Sequence, residues 1–253
     1  MAIAYKDLKG IGGWLDRNDF TALQAVTAVQ RIAGTTGDVL EIGGFKGRSA
    51  VVLADGLAPG EALHVCDPFE DPTGSSANDS ENESSYASLS RQEFDANLAR
   101  FPVARPVIHQ CISSDLPGQV EPGTYRLVHV DGSHLEDPVR FDISLARDLL
   151  GAGGIIVLDD FRSPHTPGVA LAVWEAVHAG LTPILTTTMK LYGAWDPAPD
   201  LVAQLEKELI RRGAATWYHQ KNEGEDILHA QAELAQPWKT AKVLAKSVQA
   251  RVR

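Results

Sequence analysis

The stretch Asp38-Val-Leu-Glu-Ile-Gly-Gly-Phe-Lys-Gly-Arg-Ser49 decides the fold that this sequence predicts. Its first five residues are largely apolar and of strand length, and the glycines that follow open a turn into a helix predicted over residues 49–57. A strand that passes through a glycine-rich turn directly into a helix is typical of a parallel sheet covered by helices. The same glycines allow the backbone to approach a ligand closely.

The alternation of strand and helix continues on both sides of this unit. Four more strands are predicted at residues 62–66, 106–110, 125–130 and 155–158, and further helices at residues 19–33, 138–150 and 169–179. The apolar runs at 183–189 and 191–195 lie so close together that they predict an antiparallel pair. The fold class is therefore α/β, a doubly wound, Rossmann-like sheet of seven strands, mostly parallel, with an antiparallel terminal strand.

A chain of 253 residues is long enough for one large α/β domain, and a second would be crowded. We expect a single domain over 1–253, with a helical N-terminal segment at 1–37. A helical tail is expected at 196–253, with helices over 200–212 and 238–252. Residues 70–90 are polar, rich in Ser, Asp and Asn, and without periodicity. They form either a disordered surface loop or a mobile lid that orders over a bound ligand.

The composition argues against several classes of protein. A net charge of -10 and the lack of a basic stripe argue against a nucleic-acid partner. No apolar window reaches the length of a membrane span, so no membrane partner is expected. The two cysteines, Cys66 and Cys111, each lie in or beside an apolar stretch, which indicates reduced thiols. With no signal-peptide pattern at the N-terminus, these observations predict a cytoplasmic protein.

Acidic residues follow most of the predicted strands at the point where each strand ends. They are Asp67 after the second strand, Asp115 slightly beyond the third, Asp131 after the fourth, and Asp159 and Asp160 after the fifth. Ligands of open parallel sheets bind beyond the carboxyl ends of the strands. Carboxylates that face one cleft repel each other unless a positive charge lies between them. We therefore expect a positively charged ligand, a metal ion or both in this cleft.

These residues carry a resemblance to a known family. The chain resembles class I S-adenosylmethionine (SAM)-dependent methyltransferases, and within them the metal-dependent sugar O-methyltransferases of macrolide and aminocoumarin pathways and the methylmannose-polysaccharide methyltransferases. The likeness rests on Gly13-Trp-Leu15, on the 38–49 stretch, and on Val130-Asp-Gly-Ser-His134 together with Gly153-Gly-Ile-Ile-Val-Leu-Asp-Asp160. It covers roughly residues 10–195.

The resemblance assigns roles to individual residues. It implies that the methionine end of SAM is surrounded by Glu41, Gly43, Gly44, Gly47 and Ser49. It gives Asp67 to the ribose, and the adenine to Ser113, Ser114 and Asp115. It gives a divalent ion, Mg²⁺ or another such as Mn²⁺, to Asp131, Asp159 and Asp160, and the proton-abstracting role to His134. It further implies a small-molecule or oligosaccharide acceptor and a homodimer.

The residues themselves are compatible with these assignments. Three carboxylates from two neighbouring strand ends are hard oxygen ligands of the kind that Mg²⁺, Mn²⁺ or Ca²⁺ prefers. His134 follows Asp131 by three residues, so both side chains could face one substrate. Three alternatives stay open: Asp159 and Asp160 as a helix N-cap pair, Asp131 as a partner of the SAM amino group without a metal, and His134 as a hydrogen-bond partner of a loop carbonyl.

The expected activity is metal-assisted methyl transfer from SAM to a hydroxyl of a saccharide or glycoside, with His134 and Asp131 as catalytic residues. A catechol-like phenol is the nearest alternative acceptor, because it offers the same pair of adjacent oxygens. A nicotinamide-dependent oxidoreductase is disfavoured, because Gly43, Gly44 and Gly47 lack the G-x-G-x-x-G spacing. The alternative outside enzymes is a protein that only senses SAM or a nucleotide.

Overall fold

The computed structural model describes residues 3–76, 78–80, 89–213, 216–222 and 225–231. Six α-helices are labelled here in chain order: α1 Arg17–Ala33, α2 Arg48–Asp55, α3 Arg91–Leu98, α4 Glu136–Leu149, α5 Pro167–His178 and α6 Leu201–Arg211. The nine strands are β1 Asp38–Ile42, β2 Leu63–Cys66, β3 Val107–His109, β4 Tyr125–Val130, β5 Leu150–Leu158, β6 Thr182–Thr186, β7 Leu191–Ala194, β8 Thr216–Asn222 and β9 Glu225–Gln231. Short 3₁₀ turns lie at Tyr5–Leu8 and Ser113–Asp115.

The strands of the described residues form one sheet in the order β3-β2-β1-β4-β5-β7-β6-β9-β8. The first five strands are parallel to their neighbours, whereas β7 runs antiparallel between β5 and β6. The strand order reverses at β1, which lies between β2 and β4. Because ligands of open α/β sheets bind at such a reversal, the carboxyl ends of β1 and β4 are the place to look for a site.

Each face of the sheet has its own apolar core, as a doubly wound fold requires. Successive residues of one strand belong to opposite cores: Val39 packs with α1, α2 and α6, whereas Leu40 packs with α4 and α5. The same alternation holds for Leu127 and Val128 of β4. Since both faces are covered, apolar residues of these central strands point to both sides of the sheet rather than to one side only.

The predicted fold class is confirmed, and so is the helix predicted over 200–212, which is α6, but the number of strands and the part of the tail after α6 were wrong. The described sheet has nine strands rather than seven, because residues 216–222 and 225–231 of the expected helical tail form the antiparallel strands β8 and β9. Each of these strands has only a short apolar pair in its sequence, Trp217-Tyr218 in β8 and Ile227-Leu228 in β9, which is too little to indicate a strand. The helix expected at 238–252 lies outside the described residues. None of the described helices is long and apolar enough to cross a membrane.

Two smaller differences concern local sequence signals. Helix α3 was not predicted; Ser90 caps its start by accepting a hydrogen bond from the Glu93 N–H at 3.2 Å. Strand β5 starts at Leu150 rather than residue 155, because it runs through glycines that we expected to precede it. A Cβ on Gly151 would lie 2.6 Å from the Gly123 carbonyl oxygen, so glycine lets the start of the strand pack closely.

Candidate active site

A cavity of about 910 Å³ opens at the carboxyl ends of β1, β2, β4 and β5. Ten of the residues proposed from the sequence line it: Gly43, Gly44, Ser49, Asp67, Ser113, Ser114, Asp131, His134, Asp159 and Asp160. Gly47 and Asp115 lie close by without lining it, and Glu41 lies beneath it. The parallel topology thus brings most of the proposed residues to one place, although they span more than a hundred positions of the chain.

The glycine loop after β1 is packed too tightly for side chains. Gly43 has φ 89°, and a Cβ on it would lie 2.0 Å from the Asp131 carbonyl oxygen. Gly47 has φ 83°, and a Cβ there would lie 2.3 Å from Leu98 of α3. The first glycine therefore sets the distance between the loop and the end of β4, and the second the distance between the loop and α3.

Asp67 holds the glycine loop in shape. One carboxylate oxygen accepts hydrogen bonds from the backbone N–H groups of Gly44 at 2.7 Å and Phe45 at 2.9 Å, and the other accepts from Phe69 at 2.6 Å. Burial raises the pKa of Asp67, and the three backbone donors oppose that rise. The resemblance implied a ribose contact for this carboxylate; in the structure it anchors the loop that borders the cavity.

Glu41 is fully buried and faces the interior instead of the cavity. Its Oε1 lies 3.0 Å from Nδ1 of His129, which is also fully buried. A direct contact between Glu41 and the methionine end of SAM, as the resemblance implied, does not follow from this placement. Glu41 contacts His129, which in turn contacts Lys190 at the floor of the site.

An ammonium group lies among the acidic residues at the ends of β4 and β5. The ligand atoms of His129, Asp131 and Asp159 all lie within 4.8 Å of one another. The Nζ of Lys190, at the start of β7, contacts the Asp159 carboxylate, lies 3.2 Å from Nε2 of His129 and 3.7 Å from Oδ2 of Asp131. Lys190 is buried, and its charge offsets those of the surrounding carboxylates.

The protonation of this cluster follows from burial and from the lysine. Burial acts to lower the pKa of Lys190, but the charges of Asp159, Asp131 and Asp19 raise it above its ordinary value. Burial acts to raise the pKa of Asp159, but Lys190 holds it below its usual range. The pKa of Asp131 is raised by burial and by the neighbouring charge of Asp159. The ion pair of the cluster is therefore Lys190 with Asp159.

A divalent ion does not fit this cluster while Lys190 stays in place. An ion held by His129, Asp131 and Asp159 would need to lie about 2.0–2.6 Å from their ligand atoms. The Nζ of Lys190 already lies among those same three atoms. The third carboxylate assigned to the metal, Asp160, pairs with His134 instead.

His134 and Asp160 form a carboxylate–imidazole pair on the cavity wall. Nε2 of His134 lies 2.9 Å from Oδ2 of Asp160. Asp160 has φ 56°, a left-handed conformation that is uncommon outside glycine, and its N–H donates to Oδ1 of Asp159 at 2.8 Å. An imidazole oriented by a carboxylate is a common arrangement for a general base, because the carboxylate stabilises the imidazolium that forms.

Residues 40–161 match the methyltransferase domain family. Among solved structures, the chain is similar to the O-methyltransferase NovP, with 16% identity, a TM-score of 0.59, and coverage of 70% of this chain and 78% of that one. It is also similar to cofactor-bound Rv0187 from MTB, with 19% identity, a TM-score of 0.51, and coverage of 76% and 86%. A protein from Corynebacterium glutamicum matches with 18% identity, a TM-score of 0.54, and coverage of 74% and 84%. No curated protein matches the chain.

The chain therefore contains a methyltransferase domain. The matched residues run from β1 to just past β5 and contain the glycine loop, the lysine-bound carboxylates and the His134–Asp160 pair. At these identities the solved structures show the shared fold, so the roles of individual residues in this methyltransferase depend on its own geometry.

An aromatic surface borders the cavity of the methyltransferase. Trp14 stacks on Phe45 of the glycine loop with ring centroids 5.5 Å apart, and it is 72% exposed. Leu135 and Phe141 also line the cavity and remain partly exposed. Ligand sites combine such apolar surface with a few placed polar groups, so this side suits the ring of an acceptor.

Among the charged residues of the cavity to which the sequence analysis gave no role, three are buried. They are Lys190, which precedes β7, Asp19 in the first turn of α1, and Asp142 on α4, all of which line the cavity. Burial raises the pKa of Asp19 and of Asp142 to about 7. The one signal was a single lysine directly before an apolar run, and by itself this does not distinguish a buried ammonium from an exposed one.

Proposed function

We propose that this methyltransferase transfers the methyl group of SAM to a hydroxyl oxygen of a saccharide or glycoside. The observation that carries the proposal is the His134–Asp160 pair on the wall of the cavity that the glycine loop borders. A volume of about 910 Å³ lies at the upper end of the range for ligand pockets, which leaves room for a cofactor and an acceptor together.

The cofactor is assigned to the glycine-loop side of the cavity. Gly43, Gly44 and Ser49 would lie against the methionine end of SAM, and Asp67 would accept the ribose hydroxyls with the lone pairs that the loop amides leave unused. Ser113 and Ser114 would face the adenine. Asp131 would accept a hydrogen bond from the amino group of SAM, because its carboxylate lies on the cavity wall between the loop and Lys190.

The transfer then needs one proton acceptor. His134 takes the proton of the acceptor hydroxyl, and Asp160 stabilises the resulting imidazolium. The hydroxyl oxygen forms a bond to the methyl carbon as the carbon–sulfur bond breaks. The electron pair of that bond stays on sulfur, which leaves S-adenosylhomocysteine as the second product.

The choice of a saccharide over a catechol rests on the family resemblance and on the aromatic surface at the cavity. Chelation of two adjacent oxygens by a metal ion, which either acceptor would allow, does not fit while Lys190 occupies the acidic cluster. The Trp14–Phe45 surface supports a ring-shaped acceptor, because the CH face of a sugar ring packs on an aromatic plane.

Mass spectrometry tests the proposal directly. The protein is incubated with SAM that carries a deuterated methyl group and with a panel of glycosides, nucleotide-linked sugars and catechols. We expect the mass of one deuterated methyl group to appear on a saccharide, and to be absent in the His134→Ala variant. Methylation of a catechol alone would contradict the saccharide proposal, and methylation of no member together with no SAM binding would contradict the function as a whole.

A further inference from the structure

We propose that Lys190 replaces the divalent ion, so that methyl transfer by this chain is independent of metal. The inference rests on the proposed methyl transfer and concerns the charge at its acidic cluster. Two observations carry it: the position of the Lys190 ammonium, which also takes up the Nε2 lone pair of His129, and the orientation of Asp160.

The ammonium lies at the point where an ion would bind. The groups that face it come from three other elements: His129 and Asp131 at the end of β4, Asp159 directly after β5, and Asp19 from α1. The Nζ contacts or closely approaches every ligand atom of the potential metal group. Two cations cannot share this position, because ions in direct contact repel each other strongly in a buried place.

The hydrogen bonds around His129 are consistent with the lysine in this position. An ammonium group only donates hydrogen bonds, so Nε2 of His129 accepts from Lys190 at 3.2 Å. Nδ1 then carries the proton and donates to Glu41 at 3.0 Å. The buried chain Glu41–His129–Lys190–Asp159 therefore alternates acceptors and donors consistently, and the His129 lone pair that a metal would require is already used.

The orientation of Asp160 removes the remaining ligand. Its carboxylate pairs with His134 at 2.9 Å, whereas its backbone N–H supports Asp159. In a metal site Asp159 and Asp160 would serve one ion, but here one carboxylate holds Lys190 and the other holds the proposed base. The acceptor proton would therefore be removed by His134 and Asp160 alone.

Binding of Mn²⁺ to the full-length protein tests this without any acceptor. Free Mn²⁺ is followed by electron paramagnetic resonance in titrations of the wild type, Lys190→Ala, Lys190→Arg and the double variant Lys190→Ala/Asp159→Asn. We expect the wild type and Lys190→Arg to leave Mn²⁺ free, because each keeps a cation in the cluster. Lys190→Ala should gain about tenfold or more in Mn²⁺ affinity. The double variant should lose that gain, because a carboxylate ligand is missing.

Two results would overturn the inference. One is Mn²⁺ binding by the wild type that disappears in Asp159→Asn, and the other is a folded Lys190→Ala variant that gains no Mn²⁺ affinity. Circular dichroism verifies folding. If Lys190→Ala does not fold, the test is the comparison of Mn²⁺ binding between the wild type and Asp159→Asn. Once an acceptor is known, turnover should be unchanged in EDTA, and restoration of a lost activity by Mg²⁺ would also refute the inference.

The proposed function and this inference fail in different ways. SAM binding is measured by calorimetry on the same samples. A protein that binds no SAM but shows the expected Mn²⁺ pattern contradicts the function and leaves the lysine site standing. A protein that transfers methyl groups only with Mg²⁺ supports the proposed methyl transfer and contradicts its independence of metal.

Discussion

His134 contacts Asp160 because β4 and β5 are parallel neighbours, so the turns that follow them lie side by side at the carboxyl ends of the strands. We expect His134→Ala to lower the rate of methyl transfer by roughly 10²–10⁴, the usual contribution of a general base. SAM affinity should stay unchanged, and the loss should shrink at high pH because hydroxide can replace the imidazole. Single-turnover kinetics and calorimetry measure the two quantities.

The control for this variant is His178→Ala, since His178 is exposed at the end of α5. Its rate should match the wild type. An unchanged rate in His134→Ala would reduce His134 to a loop-stabilising residue and would contradict its role as the base.

Asp67 serves both the loop and, by our proposal, the ribose. Asp67→Ala leaves the N–H groups of Gly44, Phe45 and Phe69 without their acceptor, so we expect the free energy of unfolding to fall by about 2–4 kcal/mol. SAM affinity should fall roughly 10- to 100-fold, as expected for the loss of charge-assisted contacts. Urea denaturation and calorimetry separate the two effects, and undiminished SAM affinity would remove Asp67 from the cofactor site.

At the scale of the secondary-structure elements, the path of the glycine loop depends on how closely the ends of β1 and β4 approach each other. Gly43 and Gly60 have nearly the same φ, 89° and 92°, but a Cβ on Gly43 meets the Asp131 carbonyl whereas one on Gly60 meets nothing within 4 Å. Gly60→Ala should therefore cost only backbone strain, about 1 kcal/mol. Gly43→Ala should cost at least about 3 kcal/mol and weaken SAM binding, because the end of β4 must move.

Thermal unfolding of the two glycine variants gives the comparison. Equal losses in both would mean that the loop accommodates a methyl group at Gly43. In that case the close approach of the two strand ends would not be what shapes the cavity.

Across the folded chain, buried carboxyl groups make stability depend on pH. Burial raises the pKa of Asp142 to about 7, with the Ser113 hydroxyl opposing the rise, whereas an unfolded chain holds it near 3.9. Between these values the folded state binds more protons, so this group's contribution to the free energy of unfolding decreases as pH rises from about 4 to about 7 and is constant above. Asp142→Asn should match the wild type near pH 4 and be more stable at pH 8.

Urea denaturation at the two pH values measures this difference. Asp148→Asn is the control, because Asp148 lies on the same helix and is exposed, and it should leave the pH dependence as it is in the wild type. If Asp142→Asn kept the wild-type pH dependence, Asp142 would titrate as an ordinary carboxyl group in the folded protein.

The sheet and much of the cavity could be predicted because their signals are local. The mainly apolar segments of β1 and β4 predict these strands to the residue, since burial on both faces places apolar residues at successive positions. Parallel topology then brings Asp67, Asp131 and Asp159 to one edge, as their positions after three strands imply. The strands β8 and β9 escaped prediction, because they lack the apolar pattern that reveals the central ones.

The partners of the charged residues followed only from tertiary packing. Lys190 is 31 positions from Asp159, and nothing near it in sequence indicates that its ammonium ends among the carboxylates of β4 and β5. Glu41 turned out to lie beneath the cavity on His129, and Asp160 to pair with His134. Periodicity reports which side of an element is buried, whereas the pairing of charges depends on which side chains from distant segments reach the same few ångströms. The sequence alone therefore predicted the carboxylates at the strand ends, whereas only the tertiary structure showed that the Lys190 ammonium balances their charge.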